Sequence, residues 1–436
     1  MDGKTIKYIV IIPLLVIILS VLWILIIHNN STNKIVSGNN SNTDYSAAKV
    51  IDSDEDIDGE ELNSSTSDQN TILVDGSTST LSNITVSKTG DSDGGDNTSF
   101  YGTNSAILAK SGANVTIKNA SINTNATGAN GVFSYGGSAT TNNSNSDGTT
   151  INISDSTITT SKDNSGGIMT TGGGVMNATN LTINTAGTSS AAIRSDRGGG
   201  TVTVNKGTYK TTGKGSPAIY STADITVKNA TLISKASEGV VIEGKNSVTL
   251  ENVKLTDTNN TLNGQSTTYK NIFLYQSMSG DAADGEAVFT SKNSTITTNK
   301  GDSFYVTNTT ATINLENNKI VNNDSTGNFL RIQKDSWGNS GSNGGTVTLN
   351  LTNQEVNGNI VVDSISKLTM NLTKSSFKGS INNSNEGEVS ITLDNNSTLT
   401  LTGDTYIKSL TNKDSTNSNI NLNGYKLYVN GVELTK

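Results

Sequence analysis

The 436-residue chain contains no cysteine, two prolines and a single histidine, His28. Without cysteine there is no disulfide scaffold, no thiolate metal site and no cysteine nucleophile. The one histidine lies beside an N-terminal apolar run, so the body of the chain can build neither a histidine general base nor a histidine metal centre. Arginine is scarce too: it occurs three times, as Arg194, Arg197 and Arg331, and the formal net charge is -8. A nucleic-acid binder needs the opposite balance, which excludes that partner. Aromatics make up 5% and hydrophobic residues 32% of the chain, enough for a thin core only. Asparagine (59), glycine (43) and aspartate (26) are well represented, and they are residues of turns.

From Tyr8 to Ile27 runs an uncharged stretch broken only by Pro13 and Ser20. At 1.5 Å per residue it spans about 30 Å, one hydrocarbon core. It ends in Ile26, Ile27, His28, Asn29, Asn30, with no small-x-small cleavage site, so an uncleaved signal-anchor is expected over residues 1–28. Lys4 and Lys7 precede it, which places the short N-terminus in the cytoplasm and the rest of the chain outside a single-pass membrane anchor. Residues 29–70 are acidic and rich in Asn and Ser, and read as a disordered tether. Asp54, Asp56, Asp58 and Gly59 imitate the start of a calcium loop, but Ser65 stands where such a loop needs Glu. Asp91, Asp93, Gly94 and Asp96 form a second short acidic turn. Neither is assigned a metal, and no cofactor is expected.

Beyond about residue 71 the chain is repetitive. An eight-residue frame recurs twelve times, apolar at its third and eighth positions and usually its first, as in Val115–Ile122, Ile225–Leu232 and Ile313–Ile320. Its fifth position is Asn or Asp in ten copies, with Lys206 and Lys374 as the exceptions. Successive copies are 21 to 41 residues apart, most often in the low twenties. A short alternating frame at this period implies a solenoid whose coils each supply several strands, and the absence of an LxxLxL register excludes leucine-rich repeats. The expected fold is all-β: a right-handed, single-stranded parallel β-helix of about 12 coils over residues 71–424. Stacked Asn amides along the axis give a reason for the fifth position. Upstream of most frames lies a second motif, small-apolar-x-Ser/Thr, at Ala106-Ile107, Gly131-Val132, Gly167-Ile168, Ala192-Ile193, Ala218-Ile219, Val240-Val241 and Phe304-Tyr305. It supplies a further sheet. Residues 425–436 read as a capping hairpin, with Asn430-Gly431 at a type I′ turn.

The repeats Ala218–Leu255 and Ser397–Gly431 resemble the pertactin-like passenger domains of autotransporters and the adhesin-like β-helix surface proteins of clostridia and related anaerobes. The resemblance covers nearly all of residues 71–434. It implies a parallel β-helix on the cell surface that binds polysaccharide, or a host or neighbouring cell-surface molecule, along its long side. Passengers of that kind end in a membrane barrel; here an N-terminal anchor stands in its place, which implies a single-membrane envelope.

If Ile107, Val132, Ile168, Ile193, Ile219 and Val241 point inward, the pleat turns Leu108, Phe133, Met169, Arg194, Tyr220 and Ile242 outward, with Tyr135 and Asp196 two positions on. The ligand-binding candidates in this stripe are Phe133, Tyr135, Arg194 and Tyr220, whose rings and guanidinium suit sugar faces or a protein loop. The competing reading is that a loop covers them or that the register is shifted by one. Trp337, in a Gly/Ser/Asn-rich loop, is a second candidate contact or a loop anchor. Catalysis has one compact cluster to draw on, Arg194, Asp196 and Arg197, but the preceding coil offers only Met169 and Thr171 where a second carboxylate is needed. The expectation is therefore a non-enzymatic binding protein, with a polysaccharide lyase or glycosidase and a passive spacer as the alternatives.

Overall fold

The computed structural model describes residues 43–137, 146–262 and 264–435, and from Thr43 onward the chain forms one compact unit. The apolar run Tyr8–Ile27 lies outside the described residues, among which no helix is long and apolar enough to cross a membrane. The fold is a solenoid of stacked parallel strands, a parallel β-helix. One sheet has twelve strands, from Ala47–Ile51 to Ile360–Val362, and a second has 22. All pairings within these two are parallel, in a register that puts each frame directly over the previous one, such as Ile225 over Val202 and Val248 over Ile225. Inward residues of every coil join a single core of Ile, Val, Leu and a few Phe.

The 22-stranded sheet bends once per coil, at the frame's fifth position. Eleven of the twelve residues there have φ between +47° and +66°, from Asn353 to Lys206. Left-handed backbone is costly for L-residues, and Asn and Asp tolerate it best. This conformational demand, more than an amide ladder, is why Asn recurs. The ladder exists only in pieces: Asn180 Nδ2 reaches Asp155 (2.7 Å) and Asn317 reaches Asn293 (2.7 Å).

A column of uniform composition runs through the frame's second position, where all twelve copies carry Thr or Asn: Thr80, Thr116, Asn152, Asn177, Thr203, Thr226, Thr249, Thr290, Asn314, Asn350, Asn371 and Thr392. These side chains stand outward on an uncovered sheet. Asn371 Nδ2 donates to Asn350 (2.9 Å), Asn350 to Asn314 (2.9 Å), and Asn177 to Asn152 (3.0 Å).

The coil begins earlier than the composition suggested. Residues 47–64, read as part of the tether, hold strands Ala47–Ile51, Ile57–Asp58 and Glu61–Ser64, the first coil. Its acidic residues face solvent while Ile51 and Ile57 are buried, so an overall polar composition hides an alternating strand. The calcium-like carboxylates do structural work at this end. Asp54 Oδ1 accepts from the Thr78 N–H (2.8 Å) and Asp56 Oδ1 from the Thr80 N–H (2.7 Å), standing in for a missing strand's carbonyls. In the second acidic turn Asp91 Oδ1 accepts from the Thr127 N–H (2.7 Å). At the other end Leu427–Val429 and Val432–Glu433 pair antiparallel, with Asn430 (φ 49°) and Gly431 (φ 77°) in the turn, as type I′ requires.

Candidate functional site

The site lies on the twelve-stranded sheet. Its outward central column runs Leu73, Leu108, Phe133, Met169, Arg194, Tyr220, Val241, Phe273, Tyr305, Arg331. The expected stripe therefore exists from Leu108 to Tyr220. One coil later the register departs by one: Val240 and Ile242 face inward and Val241 outward, because the small residue of that motif is Gly239 rather than Val240.

Two roofs cover most of this column. Over the first part, Leu73, Leu108, Phe133 and Met169 form an apolar cluster with Tyr45 and Tyr135 against it. The roof is the segment 91–103, which holds the short helix Asp96–Phe100. It presses down so closely that a Cβ on Gly102 would come within 2.7 Å of Leu108 and 2.9 Å of Phe133. Phe133 is thus 0% exposed. Tyr135 is half-buried, edge-on to Tyr101 at 5.7 Å, and burial raises its phenol to about 12. Phe133 is not offered to a ligand. The second roof is the loop carrying Trp337, whose ring lies 5.3 Å from both Phe273 and Tyr275, with Tyr305 beneath. Trp337 both anchors its loop and lines the site.

Between the roofs the column opens into a groove of two adjoining hollows that share Gly215, Pro217 and Tyr220. One, of about 370 Å³, is bounded by Asp96, Phe100, Arg194, Asp196 and Asp281; the other, of about 300 Å³, by Glu238, Gln265, Phe273, Tyr275 and Trp337. A larger recess of about 600 Å³ shares only Asp281 with them and is walled mainly by glycines and small side chains, with fewer groups able to recognise anything. Of the four sequence candidates, Arg194 and Tyr220 meet on the groove floor as register partners, whereas Phe133 and Tyr135 lie beneath the first roof.

The groove is strongly polarised. Arg194 pairs with Asp196 (2.8 Å), and Arg197 with Asp281 (2.9 Å) while its guanidinium rests on the Phe100 ring at 4.0 Å. Asp281, from a distant loop, is a second carboxylate lining the same hollow as Asp196. Burial pushes the Asp196 carboxyl up to about 6 against the pull of Arg194, with Asp281 adding to the rise. Behind the second hollow, buried Glu243 accepts from Tyr220 Oη (2.5 Å), Tyr275 Oη (2.9 Å) and the Ser277 hydroxyl. Burial, Tyr275 and Glu243 together hold the Tyr220 phenol well above its ordinary range. Lys270, fully buried, lies 3.9 Å from Glu238, with its ammonium over Phe273 at 4.3 Å and Tyr305 at 5.0 Å. Burial lowers its pKa. Glu243, Lys270, Tyr275 and Asp281 escaped the sequence reading. For the last three the signal was the frame spacing: 41 residues separate Asn252 from Asn293, the longest interval between frames, and those residues supply Lys270, Tyr275 and Asp281.

No protein-family model, curated protein or solved structure matches this chain.

Proposed function

We propose that this chain is a membrane-anchored, right-handed β-helix surface protein, its solenoid outside the cell, that binds polysaccharide or a glycan of a host or neighbouring cell surface. The observation that carries this reading is the groove on the long side, where the half-buried Tyr220 and Trp337 stand beside Arg194 and Gln265, over the buried rings of Phe273 and Tyr275. Aromatic faces take the C–H faces of sugars, and a few convergent polar groups fix orientation. An open groove crossing successive strands about 4.8 Å apart suits an extended chain held by several weak contacts.

A glycan array probed with the full-length protein in detergent should return a restricted set of hits. Replacing Arg194 and Tyr220 together with Ala should lower affinity for the best hit roughly thirtyfold, from two contacts of about 1 kcal/mol each. An array silent for the wild type, or unchanged affinity in the double variant, would sink the assignment of this groove. One observation favours an enzyme as the second reading: Asp196 and Asp281 come together at one hollow, as acid–base chemistry on glycans requires. Release of shortened sugars from an array hit would establish that reading in place of simple binding.

A further inference from the structure

In ten successive coils one inward position, at the corner closing each turn, is polar: Ser64, Lys88, Thr124, Thr160, Thr185, Thr211, Ser234, Asp257, Thr298 and Asn322. Most neutral members donate a hydrogen bond across the corner, as Thr185 does to the Ser190 carbonyl (2.5 Å) and Ser234 to the Ser237 carbonyl (2.8 Å), while the Thr124 hydroxyl has no partner. Lys88 does the same with an ammonium, donating to the carbonyls of Thr66 (2.8 Å) and Gly90 (2.5 Å). The corner is built for groups that carry positive or partly positive hydrogen.

Asp257 brings the opposite. It is 0% exposed, and neither carboxylate oxygen has a hydrogen-bond donor. The Thr258 and Asn259 amides lie near it outside hydrogen-bond geometry, and the Thr258 N–H is already given to the Ser234 carbonyl (3.0 Å). Two more buried acceptors stand unpartnered in the same turn, Oδ1 of Asn259 and Oδ1 of Asn271. Their orientation is fixed by their other ends: Asn259 Nδ2 donates to the Lys270 carbonyl (3.0 Å) and Asn271 Nδ2 to Thr298 Oγ1 (3.0 Å). By register Asp257 and Asn271 occupy the places that Thr298 and Ser303 occupy one coil on, where the two hydroxyls are 3.3 Å apart. Asn271 Oδ1 fits only because residue 239 is glycine, since a Cβ there would lie 2.2 Å from it.

We infer that Asp257, Asn259 and Asn271 hold a calcium ion at this interior corner. Four buried side-chain oxygens of this one turn stand without a hydrogen-bond donor, and a buried carboxylate without a counter-charge is costly. An all-oxygen set of one carboxylate and two amides is what a hard cation takes, and calcium tolerates irregular geometry, whereas magnesium demands a near-ideal octahedron and keeps its waters. The neighbouring Glu238 carboxylate contributes to the unfavourable potential that a cation would relieve. Burial drives the Asp257 pKa well above the ordinary carboxylate range, so a proton is the competing occupant.

The test refolds the full-length protein from denaturant in detergent, either with chelator or with millimolar calcium, so that the ion reaches the interior as the coil forms. The calcium-refolded wild type is expected to retain one calcium per chain by elemental analysis and to melt several degrees higher than the chelated form. Asp257→Thr, which restores the usual residue of the column, should abolish both effects while keeping the β-sheet circular dichroism spectrum. Should Asp257→Thr fail to fold, Asp257→Asn decides, since it keeps the volume and removes the charge. Equal melting temperatures with and without calcium in the wild type, or undiminished calcium in the variant that folds, would overturn the site.

Discussion

The two long faces of the solenoid are built from the same repeat and end up opposite in character. On the 22-stranded sheet the frame's second position is Thr or Asn in every copy, and these side chains are exposed or half-buried among the described residues. On the twelve-stranded sheet the outward column is apolar, aromatic or charged, and loops roof it on both sides of one groove. The difference comes from length. Frames 21 to 26 residues apart leave no chain to spare, whereas the intervals of 36 and 41 residues contain the segments 91–103, 258–285 and 333–344 that wall the groove. A bare repeat makes a rod, and insertions within the repeat make a site.

The sharpest way to break this comparison is to truncate one outward side chain on each face. Phe133→Ala, beneath the first roof, should cost about 3–5 kcal/mol in denaturant unfolding, the loss seen when a buried ring leaves a cavity. Thr226→Ala on the bare face should change stability by about 0.5 kcal/mol or less. Similar costs at the two positions would show that the first roof does not close over its column, and that the exposed-stripe reading of Phe133 should return.

A smaller effect separates the faces by pH. Asp196 is raised from its ordinary value to about 6 by burial. A carboxyl raised on folding gives stability that is fully present below its unfolded pKa, near 4, and is lost as pH rises through about 6. Across that window the wild type should lose about 2–3 kcal/mol relative to Asp196→Asn, at 1.36 kcal/mol per pKa unit. Parallel stability curves for the two proteins would mean that water reaches Asp196 freely. No such slope is expected from the uncharged Thr/Asn column.

Much of the fold could be read from the chain. The frame gave the strands, the coil period and the corner residues, because inward apolar side chains and left-handed turns both leave periodic marks. The boundary at residue 47 was hidden because the acidic residues of the first coil serve as edge acceptors and swamp its inward Ile51 and Ile57. The site was legible only by half. Arg194 and Tyr220 belong to the repeat and so could be placed, but Asp281 and Trp337 sit on insertions whose paths no periodicity constrains. The shift by one at Val241 has a similar cause, since two valines in succession give no contrast to set the register. The Thr/Asn column was present in all twelve frames and passed unnoticed because polar positions seem to need no explanation.

The smallest effect tests the account of the corners. Lys206 occupies the left-handed position with φ 66°, where most other coils place Asn. An ordinary side chain in this region is strained by roughly 1 kcal/mol, and Asn relieves the strain by bonding locally. Lys206→Asn should therefore raise stability by about 0.5–1 kcal/mol. The gain has two separable sources, because the new amide Nδ2 could donate to Asn180 Oδ1 in the coil before and extend the ladder that now runs from Asp155 to Asn180. Lys206→Gly separates them, since glycine accepts the positive φ but cannot join a ladder. A gain from Gly equal to that from Asn assigns the effect to the backbone. A gain from Asn alone would restore the stacked amides as the reason for this position, and a loss with both would mean that the turn geometry at Lys206 is not what limits this coil.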